Sequence, residues 1–491
     1  MEPISAAKMA EADRRAIEDL GIPQQTLMEN AGLKVFEAVV QLWGHPKKVC
    51  AVCGKGNNGG DAKIAAEHFE RSGASVVVIS SDSSDCVNKL GSALDDSDLV
   101  IDGLFGTGLK RDISGSDAEL VGMMNELKPD RNNPARQNYR IVSVDIPSGL
   151  DADSGEIRGV CVQSDLTVSF HAVKKGMLTS VGINHAGRIV VADIGIPYEP
   201  GQFSSSSGAS LADHSYVRRS LLFRRSYSNK GDHGRILLVA GSRSMAGAAV
   251  MCARAAVRSG AGLVYLSVPA HLQDHVNISV PEAITFSELS SSDMKELKLS
   301  AVCAGPGMGL HRKGVIRDLL SSGDNIPVIL DADALNIISS DRKAAEKHRC
   351  PLIITPHPGE MARLLGTTVA EIQKDRISAA KNAAAYFNAV VVLKGLNTVV
   401  CDVSGRCCVV SAGNPSMACG GMGDVLAGII TSFSGQGAEL FDAAVSGAFV
   451  HGMAGDIVRS IKGETGVAPS DIIEAVPYLI KGCCDGKQKD N

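Results

Sequence analysis

Short apolar runs with no polar face recur along this chain, and helical patterns fall between them. "VCAVC" (49–53), "SVVVIS" (75–80), "DLVID" (98–102), "RIVSVD" (140–145), "LTVSF" (166–170) and "RIVVAD" (188–193) form the first series. Strands buried on both faces need helices above and below them, so the pattern predicts a parallel, doubly wound sheet. The stretch "YEPGQFSSSSGAS" (198–210) breaks the pattern with Pro, Gly and Ser and no periodicity, as a linker does. The alternation then restarts with "RILLVAG" (235–241), "GLVYLSVP" (262–269), "SAVCAGPG" (300–307), "PVILDAD" (327–333), "PLIITPHPGE" (351–360) and "AVVVLKG" (389–395). "TVVCD" and "CCVVSAG" read as a hairpin, and a helical tail runs from about 422. A chain of 491 residues is too long for one ordinary core. The expectation is two α/β domains, 1–210 and 211–491, with no repeat linking them.

Composition removes several functional classes. A net charge of −5 gives no support for nucleic-acid or anionic-membrane partners. The first residues carry charges throughout, and no stretch approaches 18 uncharged apolar residues, so a cytoplasmic protein is expected. The 13 Cys show no metal-ligand spacing and read as reduced core thiols.

Two glycine-rich segments carry the chemistry. In "GNPSMACGGMGDVLAGII" (413–430), Gly420, Gly421 and Gly423 precede an apolar helix with Asp424 in its first turn. Amides freed at a helix start form an anion cradle, and a carboxylate beside one suits a general base for a hydroxyl during phosphoryl transfer. The plainer alternative is a helix-capping Asp behind a glycine turn. No G-x-x-x-x-G-K-[ST] occurs. "LKGLNT" (393–398) could meet a nucleotide at a strand end, and "TPHPGE" (355–360) clamps His357 between two prolines, which favours a ligand contact over a bland surface role. "GPGMG" (305–309) and "DADALN" (331–336) add glycine and polar tips to the same edge. In the first half, "GKGNNGGDA" (54–62) satisfies G-x-G-x-x-G through Gly54, Gly56 and Gly59. Its Asn and Asp would repel a bare pyrophosphate but could orient a polar ring or a cation. Asp102, Asp145 and Asp193 end strands, at the edge where such sheets bind ligands.

The segments "GSRSMAGAAVMCARAAVRSGAGLV", "GPGMG", "DADALN", "TPHPGEMARLLG", "LKGLNT" and "GNPSMACGGMGDVLAGII" resemble, in order across roughly 230–480, the carbohydrate-kinase-like domain of NAD(P)H-hydrate dehydratases, a ribokinase-like fold. The resemblance implies ADP-driven phosphorylation of the hydroxyl on a hydrated nicotinamide, then loss of phosphate to regenerate NAD(P)H. Asp424 would be the base and Gly420, Gly421 and Gly423 the cradle. Lys394, Gly395, Leu396, Asn397, Thr398 and Gly423 would contact the nucleotide. Gly307, His357, Asp424 and an alanine, Ala246 or Ala248, would line the hydrate site. Mg2+ is expected with the nucleotide.

The segments "AEADRRAIEDLGIPQQTLMENAG", "GKGNNGGDA", "IDGLFGTGLKRDISG" and "VDIPSGLDADSG" resemble the NAD(P)H-hydrate epimerase domain, a Rossmann-like fold. The resemblance places the hydrated cofactor against Asn57, Asn58, Gly59, Gly60 and Asp61 and against Gly106, Thr107, Gly108, Leu109, Lys110, Arg111 and Asp112. It gives K+ to Asn58, Asp102 and Ser148. Asp145 is the acid/base candidate for inversion at C6, with a cap of "IPSGLD" as its alternative. Many members carry Gly where this chain has Ala62, so a positive φ there would strain it. Fusion of the two domains in this order implies a bifunctional repair enzyme, expected to be homo-oligomeric. The rivals are a vitamin or sugar kinase releasing a stable phosphorylated product, and a first half serving as a non-catalytic binding module.

Overall fold

A computed structural model describes residues 1–126, 139–198, 208–221, 224, 226–287, 289, 291–342, 345 and 347–485. The chain divides into two compact units, Met1–Leu211 and Ala212–Asn491. Most of the stretch read as a linker, 199–207, lies outside the described residues. Among the described residues, no helix is long and apolar enough to cross a membrane.

The first unit is Rossmann-like. Its sheet runs Ser75–Ser80, Lys48–Cys53, Leu99–Gly103, Arg140–Val144, Leu166–Phe170, Arg188–Ala192, every pair parallel. Leu99–Gly103 and Leu166–Phe170 are buried at every position, which is why their sequences lack the alternation of a half-exposed strand. One apolar cluster packs Gln24–Trp43 and Asn57–Arg71 on one face, and another packs Cys86–Leu94 and Ser116–Glu126 on the other. Strand order reverses between Lys48–Cys53 and Leu99–Gly103. A crevice opens at such a switch point because the following loops leave in opposite directions.

The second unit is ribokinase-like. Its strands lie in the order Ala283–Phe286, Leu263–Ser267, Arg235–Val239, Ala301–Ala304, Val328–Leu330, Leu352–Ile354, Val390–Leu393, Thr398–Cys401, Cys407–Val410. Pairing is parallel up to Val390–Leu393 and antiparallel beyond it. The short edge strand Ala283–Phe286, largely unburied, escaped the sequence reading because it lacks an apolar run. Order reverses between Arg235–Val239 and Ala301–Ala304. Helices Ala246–Arg258, Met422–Gly435 and Leu440–Lys462 pack into one large cluster. Reduced thiols were expected throughout, but Cys401 and Cys407 form a disulfide. They sit directly opposite each other across the antiparallel hairpin, the register that brings two side chains within bonding reach.

Candidate active sites

In the second unit the Met422–Gly435 helix begins behind Gly421, whose φ is 100°. That backbone region suits glycine, and a Cβ there would lie 2.4 Å from Met251 Sδ. No side chain caps this helix start. The Val425 amide bonds back to the Gly421 carbonyl at 3.1 Å, so the turn is closed while the amides ahead of it head no helical bond. Asp424, half-buried in that turn, has its carboxyl raised to about 7, first by burial and then by Asp331, with Lys394 opposing.

Lys394 joins these groups. Its Nζ donates to Asp331 Oδ1 at 2.7 Å and stands 3.8 Å from Glu360 Oε2. A Cβ on Gly423 would come within 3.4 Å of the same nitrogen, which puts the ammonium against the first turn of the helix. Burial pulls its pKa down, but Asp331 and Glu360 overcome this and leave it above the ordinary value. Asp331 also accepts from Thr355 Oγ1 at 2.7 Å. The rest of the 394–398 segment is shaped by buried Arg376, which reaches the carbonyls of Leu393, Lys394 and Asn397. Burial pushes that guanidinium down to about 10. Leu396 is exposed, Asn397 takes φ 52° and accepts from Ser411 Oγ, and Thr398 Oγ1 donates to Gly395 O.

Gly307 and Ala248 meet. Gly307 has φ 55°, and a Cβ on it would lie 2.8 Å from the Ala248 Cβ, so the close approach leaves room only for hydrogen. His357 caps the Pro358–Leu365 helix: its Nδ1 accepts from the amides of Gly359 and Glu360, while its own amide donates to Glu360 Oε2. The bland role is therefore present, and the other edge of the ring stays half exposed, with Nε2 3.6 Å from Glu360 Oε1. His451, on Leu440–Lys462, meets the Met422 backbone, and burial followed by Lys394 drives its pKa down to about 4.

In the first unit, the loops after Lys48–Cys53 and Leu99–Gly103 enclose a cleft of about 940 Å³. Asn57, Asn58, Asp61, Gly106 through Arg111, and Asp145 line it. Gly59 and Gly60 sit in the first turn of the Asn57–Arg71 helix and Asp112 on the surface, all outside that lining. Ala62 is helical, with no positive φ, and buried, so alanine costs no backbone strain there.

Asn58 and Ser148 meet at Phe105, and Ser148 joins them to Asp102. Asn58 Nδ2 donates to the Phe105 carbonyl at 3.1 Å, and Ser148 Oγ lies 3.2 Å from it. Asp102, fully buried, accepts from Ser143 Oγ at 2.7 Å and from the Ser148 amide at 2.9 Å and hydroxyl at 2.5 Å. Burial raises its pKa. A buried carboxylate among neutral oxygens lacks a compensating charge. The oxygen-only donor set fits a hard monovalent cation.

Asp145 stands just past its strand at φ 65°. Both of its bonds fall on Oδ1: one from the Phe170 amide at 2.9 Å, the other from Lys174 Nζ. Lys174 is wholly buried and also donates to Ser169 Oγ, Phe170 O and Ala172 O. Across the cleft, Asp61 is raised to about 8 by burial, then by Asp145 and Asp13. Asp13, on Ala6–Glu18, is raised to about 6 by burial and by Asp145. Sequence reasoning assigned no role to Asp13, Lys174 or Arg376. Their signals, a charge on an amphipathic helix, a lysine in an irregular turn and a helix-borne arginine, look like solvated surface until the fold buries them.

Residues 236–478 match the family model described as NAD(P)H-hydrate dehydratase, and residues 24–90 and 80–176 match that of the YjeF-related protein N-terminus. The chain is 35% identical over 522 residues to the bifunctional NAD(P)H-hydrate repair enzyme Nnr of Moorella thermoacetica, covering 97% of this chain and 96% of that protein. It is 32% identical over 501 residues to the protein of the same name from Escherichia coli K12, covering 97% and 94%. The ADP/ATP-dependent NAD(P)H-hydrate dehydratase from Bacillus subtilis, co-crystallized with ATP/Mg2+, is similar at TM-score 0.51 and 28% identity, covering 57% of this chain and 100% of that one. The chain belongs to the family of bifunctional NAD(P)H-hydrate repair enzymes.

Proposed function

We propose that this chain repairs hydrated NADH and NADPH in two steps, the first unit interconverting the R and S hydrates and the second dehydrating the S form with ADP. The observation that carries the reading is Asp424: a carboxyl raised to about 7 in the first turn of an uncapped helix. In its ionised form it takes the C6 hydroxyl proton as that oxygen attacks the terminal phosphorus of ADP and AMP departs. The amides of the first turn hold the phosphoryl oxygens. The ring nitrogen's lone pair then expels phosphate, and loss of a proton from the neighbouring carbon restores the ring double bond.

Lys394 through Thr398 with Gly420, Gly421 and Gly423 bind the nucleotide on this reading, and Ala248, Gly307 and His357 hold the nicotinamide. Mg2+ accompanies the nucleotide, with Asp331 and Glu360 the carboxylates at this edge suited to its charge. In the first unit the hydrate lies along Asn57–Asp61 and Gly106–Asp112, with Asp145 as acid/base. Asn58, Asp102 and Ser148 hold K+, which supplies the positive charge that buried Asp102 lacks. ADP is taken as the donor on the family resemblance of the sequence, and the test below compares it with ATP.

The test incubates S-hydrate with the full chain and either ADP or ATP and follows NADH absorbance and AMP. Recovery of NADH with stoichiometric AMP supports the reading. Accumulation of a stable phosphorylated product without NADH supports a kinase in its place.

A further inference from the structure

Four carboxyl groups line the cleft of the first unit: Asp13 from Ala6–Glu18, Asp61 from Asn57–Arg71, Asp117 from Ser116–Glu126, and Asp145 past Arg140–Val144. Three of them, Asp13, Asp61 and Asp145, are coupled by charge. One of the three has a dedicated cation. Lys174, fully buried, reaches Asp145 Oδ1 and spends its remaining bonds on Ser169, Phe170 and Ala172. Asp61, only 9% exposed, lines the same cleft and is acted on by the charges of Asp145 and Asp13.

We propose that Asp61 is a catalytic residue, the acid that protonates the departing C6 hydroxyl, while lysine-held Asp145 serves as the base on the opposite side and Asp13 is a positioning residue for the proton on Asp61. This inference rests on the epimerase reading of the first unit. C6 of the hydrate bears both the ring nitrogen and a hydroxyl, so it is a carbinolamine. Asp61 gives its proton to the hydroxyl, the C6–O bond breaks, water leaves, and the nitrogen lone pair forms a C6=N1 iminium. A water on the other face adds to C6, the π electrons return to nitrogen, and the added water's surplus proton passes to Asp145. One proton has moved from Asp61 to Asp145, and exchange with solvent through the cleft restores both. The reverse inversion uses the same groups with their roles exchanged.

Asp61 holds its proton up to about pH 8 because it is buried and faces Asp145 and Asp13, so it remains an acid at neutral pH. Asp13, Asp61, Asp145 and Lys174 act most strongly on one another here, and Lys55, Lys110, Arg111 and Asp117 line the same cleft. Epimerisation should therefore fall as pH rises through about 8.

The experiment follows conversion of pure R-hydrate to the S form by chromatography, using the full chain without nucleotide. Asp61→Asn is expected to lower kcat by roughly 10²- to 10⁴-fold with little change in KM, the usual loss for a positioned acid. Asp13→Asn is expected to keep substantial activity but move the alkaline limb to lower pH, since one like charge beside Asp61 is gone. An Asp61→Asn variant that epimerises at the wild-type rate overturns the proposal, and so does an alkaline limb unmoved in Asp13→Asn. A wild-type chain that leaves R-hydrate untouched overturns the epimerase reading itself.

Discussion

The two sheet edges solve a related problem with opposite charge layouts. Each holds a lysine–aspartate pair, Lys174–Asp145 in the first unit and Lys394–Asp331 in the second. Beside each pair stands another carboxyl raised well above the ordinary range, Asp61 at about 8 and Asp424 at about 7. The difference lies in where the lysine acts. Lys394 pulls directly against the burial of Asp424, whereas Lys174 is absorbed by Asp145 and three other acceptors, and the charges acting on Asp61 are carboxylates. A carboxyl near 7 can serve as a base at neutral pH, and one near 8 as an acid. Burial raises both carboxyls first, and the lysine opposes it only at Asp424.

The strongest way to break the comparison is to remove the base. Asp424→Ala should lower the dehydration rate by roughly 10²- to 10⁴-fold while R-to-S conversion continues, measured on one preparation with both hydrates. Next is the buried cation. Lys174→Met leaves Asp145 with only the Phe170 amide, and loss of one member of a buried pair costs about 3–5 kcal/mol. Denaturant unfolding should show that loss for the first unit, with dehydration retained. Gly421→Ala should be milder. Its φ of 100° and the Met251 sulfur 2.4 Å from the new Cβ should cost about 1–3 kcal/mol and raise the KM for ADP.

The pH dependence of stability sharpens the sign of the argument. Asp61 binds its proton more tightly folded than unfolded, about 8 against 3.8. Between those values the folded state carries the extra proton, so this group's contribution to stability falls as pH rises and is fully lost above about 8. Asp61→Asn should therefore melt above the wild type at pH 8.5, with the advantage shrinking toward pH 5. A thermal scan across that range reads it, and an advantage that grows toward acid would contradict the assignment.

Much of this was legible before the structure. Strands buried on both faces declared themselves as uninterrupted apolar runs, and Gly421 with Asp424 marked a glycine-led helix start with a carboxyl in its first turn. Asn58, Asp102 and Ser148 are far apart in sequence; in the fold Asn58 and Ser148 both reach the Phe105 carbonyl, and Ser148 bonds Asp102. Charge placement stayed hidden. Nothing local in "HAVKKGML" says that Lys174 is wholly buried and Lys175 is not, because burial comes from the bridge its neighbours make with Ile4. Arg376 was likewise silent: its role is to hold three carbonyls of a loop some twenty residues away. The hairpin disulfide escaped because Cys401 and Cys407 meet only once the strand register is fixed.

The most direct test is a pair of pH–rate profiles on the same full-length chain, one for ADP-driven dehydration of S-hydrate and one for R-to-S conversion. The account predicts limbs of opposite sign: dehydration rising as pH passes about 7, conversion falling as it passes about 8. Two limbs of the same sign, or a dehydration rate flat from pH 6 to 8, would contradict it.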